Sequence, residues 1–236
     1  MKGIKKRWVI VACIAVLAVV TLVSAGRIKD AYMKSKLDPL AELQSSISKT
    51  TAVKSYKYAM KSQFTVDGRG EVISEVQGEK NNNNTHIKGE MVNTSVDIYY
   101  IDRTIYNYDS FAQKWLVIES GTSNSEELLI SELNPLSNFR FKHVSQVEKQ
   151  GFEMIDGAEC LVVTCNPSVE AQLLETMWKD ISYKFWIDYH NDWIKQAVLT
   201  ATNKKNPGTT LTVEVKLNDF DRNIEIKAPD VSESKK

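Results

Sequence analysis

The stretch that decides the fold runs from Ser182 to Phe220 and reads SYKFWIDYHNDWIKQAVLTATNKKNPGTTLTVEVKLNDF. Its last part alternates strictly. Leu211, Val213, Val215 and Leu217 are apolar, and Thr210, Thr212, Glu214 and Lys216 lie between them. A period of two is the mark of a strand with one buried face. Upstream, 182–188 and 193–202 read as two further strands joined by the polar tip Tyr189-His190-Asn191-Asp192. Three successive antiparallel strands with one apolar face require something to cover that face.

Working outward, the same period governs 56–66, where Tyr56, Tyr58, Met60, Phe64 and Val66 alternate with polar residues. Asp67-Gly68 is a hairpin turn, and the Asn81–Asn84 run is a polar loop tip. Strands are expected around 72–76, 86–92, 95–102, 104–108, 114–118, 143–148 and 158–166. Three segments read as helices. Asp38-Pro39 opens one that carries Leu40, Leu43, Ile47 and Val53. A second runs from Ser125 towards Phe141 with Leu128, Leu129, Ile130 and Leu133. A third starts at Pro167-Ser168 and places Val169, Leu173, Leu174, Met177, Trp178 and Ile181 on one face. About eleven strands and three helical segments follow one another without a repeat or a dividing linker.

The chain has 236 residues, with 30 basic and 30 acidic side chains. The balance is uneven. Residues 1–25 hold Lys2, Lys5, Lys6 and Arg7 and no acid, so the remainder is net −4. No basic excess asks for nucleic acid. The four cations precede an uncharged apolar run, Trp8–Ala25, of 18 residues. As a helix it would extend about 27 Å, near the thickness of a bilayer core. Basic residues ahead of it keep that end in the cytoplasm and send the rest outside. Residues 1–25 are therefore a signal anchor or a signal peptide. The length of the run favours a retained single-pass anchor, and Val23-Ser24-Ala25 would serve secretion after cleavage. Residues 26–36 form a stalk or helix extension, and 228–236 a frayed tail.

Dedicated chemistry is hard to find. Of three cysteines, Cys13 lies in the apolar run. Cys160 and Cys165 flank one strand on opposite faces, about 16 Å apart, too far for a disulfide, and read as buried thiols. His86, His143 and His190 are not spaced as metal ligands. His190 sits between Asp188 and Asp192, which a polar hairpin tip explains as well as a cation would. Asp219, Asp221 and Asn223 start like a calcium loop, but Ile224 stands where glycine must be. No nucleophile, base and oxyanion set emerges, no cofactor is implied, and the chain is expected not to be an enzyme.

The order of elements, with the phrases "KSYKYAMKSQFTVDG", "DIYYIDRTIYNYDSFAQKWLVIE", "GAECLVVTCNP", "KFWIDYHNDWIKQAVLT" and "TTLTVEVKLNDF", resembles the LolA/LppX-like group of exported bacterial lipoprotein carriers and lipid-binding proteins. The resemblance covers 37–227. It implies an α+β, mostly β fold: a curved antiparallel sheet, an incomplete barrel, with helices over the concave face and an apolar space able to hold acyl chains. The implied function is a non-catalytic, membrane-held extracytoplasmic protein that binds a lipid or acylated protein. The alternative is a module that contacts another envelope protein or senses stress. The family's lipobox cysteine is missing, since Gly26 stands there. Alternation nominates Met60, Phe64, Val213 and Val215 for the sheet side of a ligand cavity. Leu129, Leu133, Met177 and Trp178 are nominated for the helical side. The tryptophans and the Tyr99–Tyr108 cluster either pack the core or line that space.

Overall fold

A computed structural model describes residues 26, 28–119, 134–144 and 146–231. Its chain divides into two compact units, residues 1–38 and 39–236. In the first, residues 28–36 form helix α1. Lys34 pairs with Asp30 one turn away at 2.6 Å, and the Ser35 hydroxyl donates to the Tyr32 carbonyl. The expected stalk is thus helical where it is described. The apolar run 8–25 lies outside the described residues. Among those described, no helix is long and apolar enough to cross a membrane.

The second unit opens with helix α2 (Pro39–Ala52). Thirteen strands follow: β1 (Ser55–Val66), β2 (Arg69–Asn81), β3 (Asn84–Met91), β4 (Thr94–Ile101), β5 (Thr104–Asp109), β6 (Lys114–Glu119), β7 (Phe141–His143), β8 (Val147–Ile155), β9 (Ala158–Cys165), β10 (Ser168–Val169), β11 (Trp178–Asp188), β12 (Trp193–Asn203) and β13 (Thr209–Asn218). A 3-10 turn, Pro135–Phe139, precedes β7, and helix α3 (Gln172–Met177) precedes β11. Eleven strands form one open antiparallel sheet in the order β6-β5-β4-β3-β2-β1-β13-β12-β11-β9-β8. β7 and β10 make a separate two-stranded ribbon.

Two-residue turns drive the meander. Asp67 and Gly68 both take positive φ, at 48° and 80°, which matches the right-handed twist of the strands they join. Val92-Asn93 and Asp102-Arg103 turn in the same way. Val92 is a β-branched residue held at φ 48°, a conformation that crowds its Cβ. Gly78 has a different reason to be glycine. The Tyr58 ring of the neighbouring strand lies where a Cβ would be.

The helix expected from Pro167 is corrected. Only Gln172–Met177 is helical. Ser168 and Val169 pair with His143 and Phe141. Trp178 is extended, at φ −122° and ψ 152°, and begins β11 opposite Asn203. Six helical residues without a side-chain cap hold little by themselves. The run WKDISYKFWID, rich in aromatic and β-favouring residues, gains a full ladder with β12 instead. Asp180, at φ 52°, marks the bulge that absorbs the mismatch. Of the helix expected from Ser125 to Phe141, residues 120–133 lie outside the described ones, and its end is the 3-10 turn.

Candidate functional site

Alternation gives the sheet a strongly apolar face. β1 contributes Tyr58 and Met60, and β2 contributes Val76. Ile87, Ile98 and Ile105 continue it towards β6. Val213, Val215 and Leu217 of β13, Leu199 of β12, Phe185 of β11 and Val163 of β9 continue it the other way; all of these are buried. The sheet bends around this face. Phe64 of β1 and Trp178 of β11 are three strands apart in the sheet order, yet their rings meet at 5.6 Å. On a flat sheet, strands that far apart would be separated by about 14 Å. Their side chains converge because they point inwards across the bend.

Helix α2 covers part of the concave face. Leu43, Ser46 and Thr50 of α2 are fully buried towards it. Thr50 Oγ1 accepts the Ile194 amide at 3.0 Å, so the helix completes the backbone bonding of β12. The 3-10 turn seals the neighbouring part. Phe139 meets Tyr183 and Phe185 at 5.4 and 5.8 Å. The Tyr183 hydroxyl donates to the Asn138 carbonyl at 2.8 Å.

The nominated residues fall as follows. Met60 and Val215 are cross-strand neighbours deep in the core. Val213 is buried on the same face, and Phe64 is half-buried against Trp178. Trp178 reaches this face from a strand, not from a covering helix as expected. Met177 is 46% exposed at the end of α3. Leu129 and Leu133 lie outside the described residues.

Two hollows flank this core. One is a groove of about 800 Å³ on the opposite, convex face. Its walls alternate in charge: Lys61 pairs with Glu75 at 3.0 Å and Lys216 with Glu214 at 3.2 Å. The other is a pocket of about 580 Å³ at one end of the concave face, lined by Lys80, Asn83, Thr85, Tyr100, Asp102, Arg103 and Asn134. Lys80, Thr85 and Tyr100 belong to a single cross-strand row, Tyr56–Lys80–Thr85–Tyr100–Ile105. The β4–β5 turn adds Asp102 and Arg103. Lys80 lies with its ammonium 5.8 Å from the Tyr56 ring. Burial holds its pKa below the usual lysine value, and the positive charge of Arg140 pushes it the same way. Sequence reading missed this pocket. Its residues are distant in sequence, and only the strand register aligns them.

The polar motifs bond within the chain. Asp188 accepts the backbone amides of His190 and Asn191 and the Asn191 side-chain amide, while Asp192 pairs with Lys49. Asp219 pairs with Lys57, and the Asp221 amide donates to the Ser55 carbonyl. Cys160 and Cys165 are buried free thiols on opposite faces, pushed up by burial to about 12 and about 11. His86 stacks on Tyr99 at 3.9 Å between the carboxylates of Asp97 and Glu79. Among the described residues, no three His, Cys, Asp or Glu side chains are grouped to hold a metal.

No family model and no curated protein matches the sequence. Solved structures do. The lipoprotein LppX of Mycobacterium tuberculosis superposes with a TM-score of 0.56, at 16% identity, over 80% of this chain and 97% of its own. The fold is LolA/LppX-like. LprF of Mycobacterium bovis gives 0.52 at 14% identity, over 81% of this chain and 98% of its own. At these identities the LolA/LppX likeness is one of architecture: a bent open sheet around an apolar concave face.

Proposed function

We propose that this protein binds, without catalysis, the acyl chains of a lipid or of a lipid-modified protein on its concave face. The observation that carries the reading is that face itself: a continuous apolar surface, bent enough to bring Phe64 and Trp178 together, in a LolA/LppX-like fold. A curved sheet covered by separate small elements is the architecture in which a modest displacement of the cover opens a ligand space. Residues 8–25 tether the domain to the outside of the cytoplasmic membrane, in place of the lipid that a cysteine at position 26 would have carried. Nucleic acid and metal play no part in this reading.

The test is native mass spectrometry of the full-length chain released from membranes in mild detergent, followed by lipid extraction. A stoichiometric adduct of lipid mass is expected. A bare protein that also fails to take up a fluorescent fatty acid overturns the reading. A second reading, docking of another envelope protein, draws support from β6. This outermost strand leaves Leu116, Val117 and Ile118 between 38% and 50% exposed, and an added strand would cover them. Cross-links mapping to 114–119 in intact cells are its expected signature.

A further inference from the structure

The pocket at the end of the concave face has an unusual charge arrangement. Lys80 lies on the same side of β2 as Gly78, two residues along the strand, and Gly78 pairs with Ile87 of the apolar face. Arg103 lines the same pocket from the β4–β5 turn, and the charge of Arg140 is felt at Lys80 from the end of the 3-10 turn. Among the described lining residues, Lys80 and Arg103 are the cations and Asp102 is the carboxylate. Among the described residues no carboxylate pairs with the Lys80 ammonium. A half-buried cation left so is costly unless an anion joins it. The remaining lining groups, the side chains of Asn83, Asn134, Thr85 and Tyr100, all carry hydrogen-bond donors.

We propose that this pocket holds a phosphate ester, the headgroup of an anionic phospholipid, with Lys80 and Arg103 as its charged ligands. The proposal rests on the lipid-binding reading and specifies it. Phosphate offers several acceptor oxygens to convergent donors and is the group that Lys and Arg together recognise best. The geometry orients the whole ligand. The row that contains Lys80 and Thr85 continues to Ile105, and Ile87 and Ile98 lie on the same face two residues further along their strands. A headgroup in the pocket therefore directs its acyl chains along the apolar face. In the convex groove, by contrast, each described lysine has a carboxylate partner.

The experiment uses the full-length chain in non-ionic detergent, titrated with dioleoylphosphatidylglycerol, with dioleoylglycerol, which has the same chains without phosphate, and with inorganic phosphate. Phosphatidylglycerol is expected to bind at least about tenfold more tightly than dioleoylglycerol, the scale of a hydrogen bond to a charged group. Lys80→Met keeps a side chain of similar length and removes the charge. It should erase that preference and leave dioleoylglycerol binding unchanged, and Lys80→Arg should restore it. Arg103→Gln provides an independent loss at an exposed turn. Equal binding of the two lipids, unaltered by either variant, overturns the phosphate site while the lipid reading stands. Lysine-dependent binding of inorganic phosphate, with neither lipid bound, overturns the lipid headgroup as the source. Binding of none of the three overturns both readings.

Discussion

Two hydroxyls one turn apart on α2 make a sharp test of how that helix sits on the sheet. Thr50 and Ser46 are both fully buried. The Thr50 oxygen accepts the Ile194 amide at 3.0 Å, whereas Ser46 Oγ has no hydrogen-bond partner among the described residues. Thr50→Val keeps the shape and strands the Ile194 N–H, at a cost of about 1–3 kcal/mol. Thr50→Ser keeps the acceptor and removes one methyl, about 0.8 kcal/mol. Ser46→Ala removes a hydroxyl that was desolvated without return, so stability should hold or rise by up to about 1 kcal/mol. The assay is urea unfolding of the full-length chain in detergent, followed by tryptophan fluorescence. With a slope near 2–3 kcal/mol/M, Thr50→Val should lower the midpoint by roughly 0.3–1.5 M. Valine as stable as serine at position 50, or a large loss at Ser46→Ala, would refute this placement of the helix.

Three further outcomes are expected. In a Cys13→Ser background, Cys160 and Cys165, held near 12 and 11, should react with iodoacetamide at pH 8 at least about a hundredfold more slowly than an ordinary thiol, and reach the free rate in urea. Val92→Asn, which relieves a β-branched residue at φ 48°, should stabilise by about 1 kcal/mol in the same unfolding assay. Glu153 accepts the Trp186 indole N–H at 2.7 Å, and that bond depresses its pKa, with further help from Lys184. A depressed carboxylate stabilises the fold above its unfolded pKa, and the contribution fades as pH falls through the folded one. A tryptophan fluorescence step below the ordinary glutamate range of about 4.3 is therefore expected, and Glu153→Gln should abolish it.

Much of the architecture could be read along the chain because strands announce themselves locally. The alternation of Leu211, Val213, Val215 and Leu217 becomes four buried side chains, and Asp67-Gly68 turns as its residue types demand. Trp178 was misread because Val169, Leu174, Trp178 and Ile181 fit a helical stripe as well as they fit interrupted strands. The deciding energy came from pairing with β12, which no local pattern reveals. The Lys80 pocket was illegible for a related reason. Lys80, Tyr100, Arg103 and Asn134 become neighbours only through strand register and the path of the 3-10 turn. Met60 and Val215 share one face of the sheet, but alternation cannot tell a packed face from one that opens.

The neighbouring positions of β1 and β13 at the middle of the sheet carry a consequence for biogenesis. The meander β1–β6 can form from local hairpins as the chain emerges, and so can β11–β12. The seam between the two halves is a ladder from Lys57–Asn218 to Val66–Thr209, and its second strand is the last to be synthesised. Until that strand is made, β1 presents an unpaired edge with an apolar side, the kind of surface that invites aggregation or a chaperone. Closing contacts so far apart in sequence is also slow. A chain truncated before Thr209 should thus yield two half-sheets open at their inner edges, which makes arrival of the final strand the step that commits this protein to its fold.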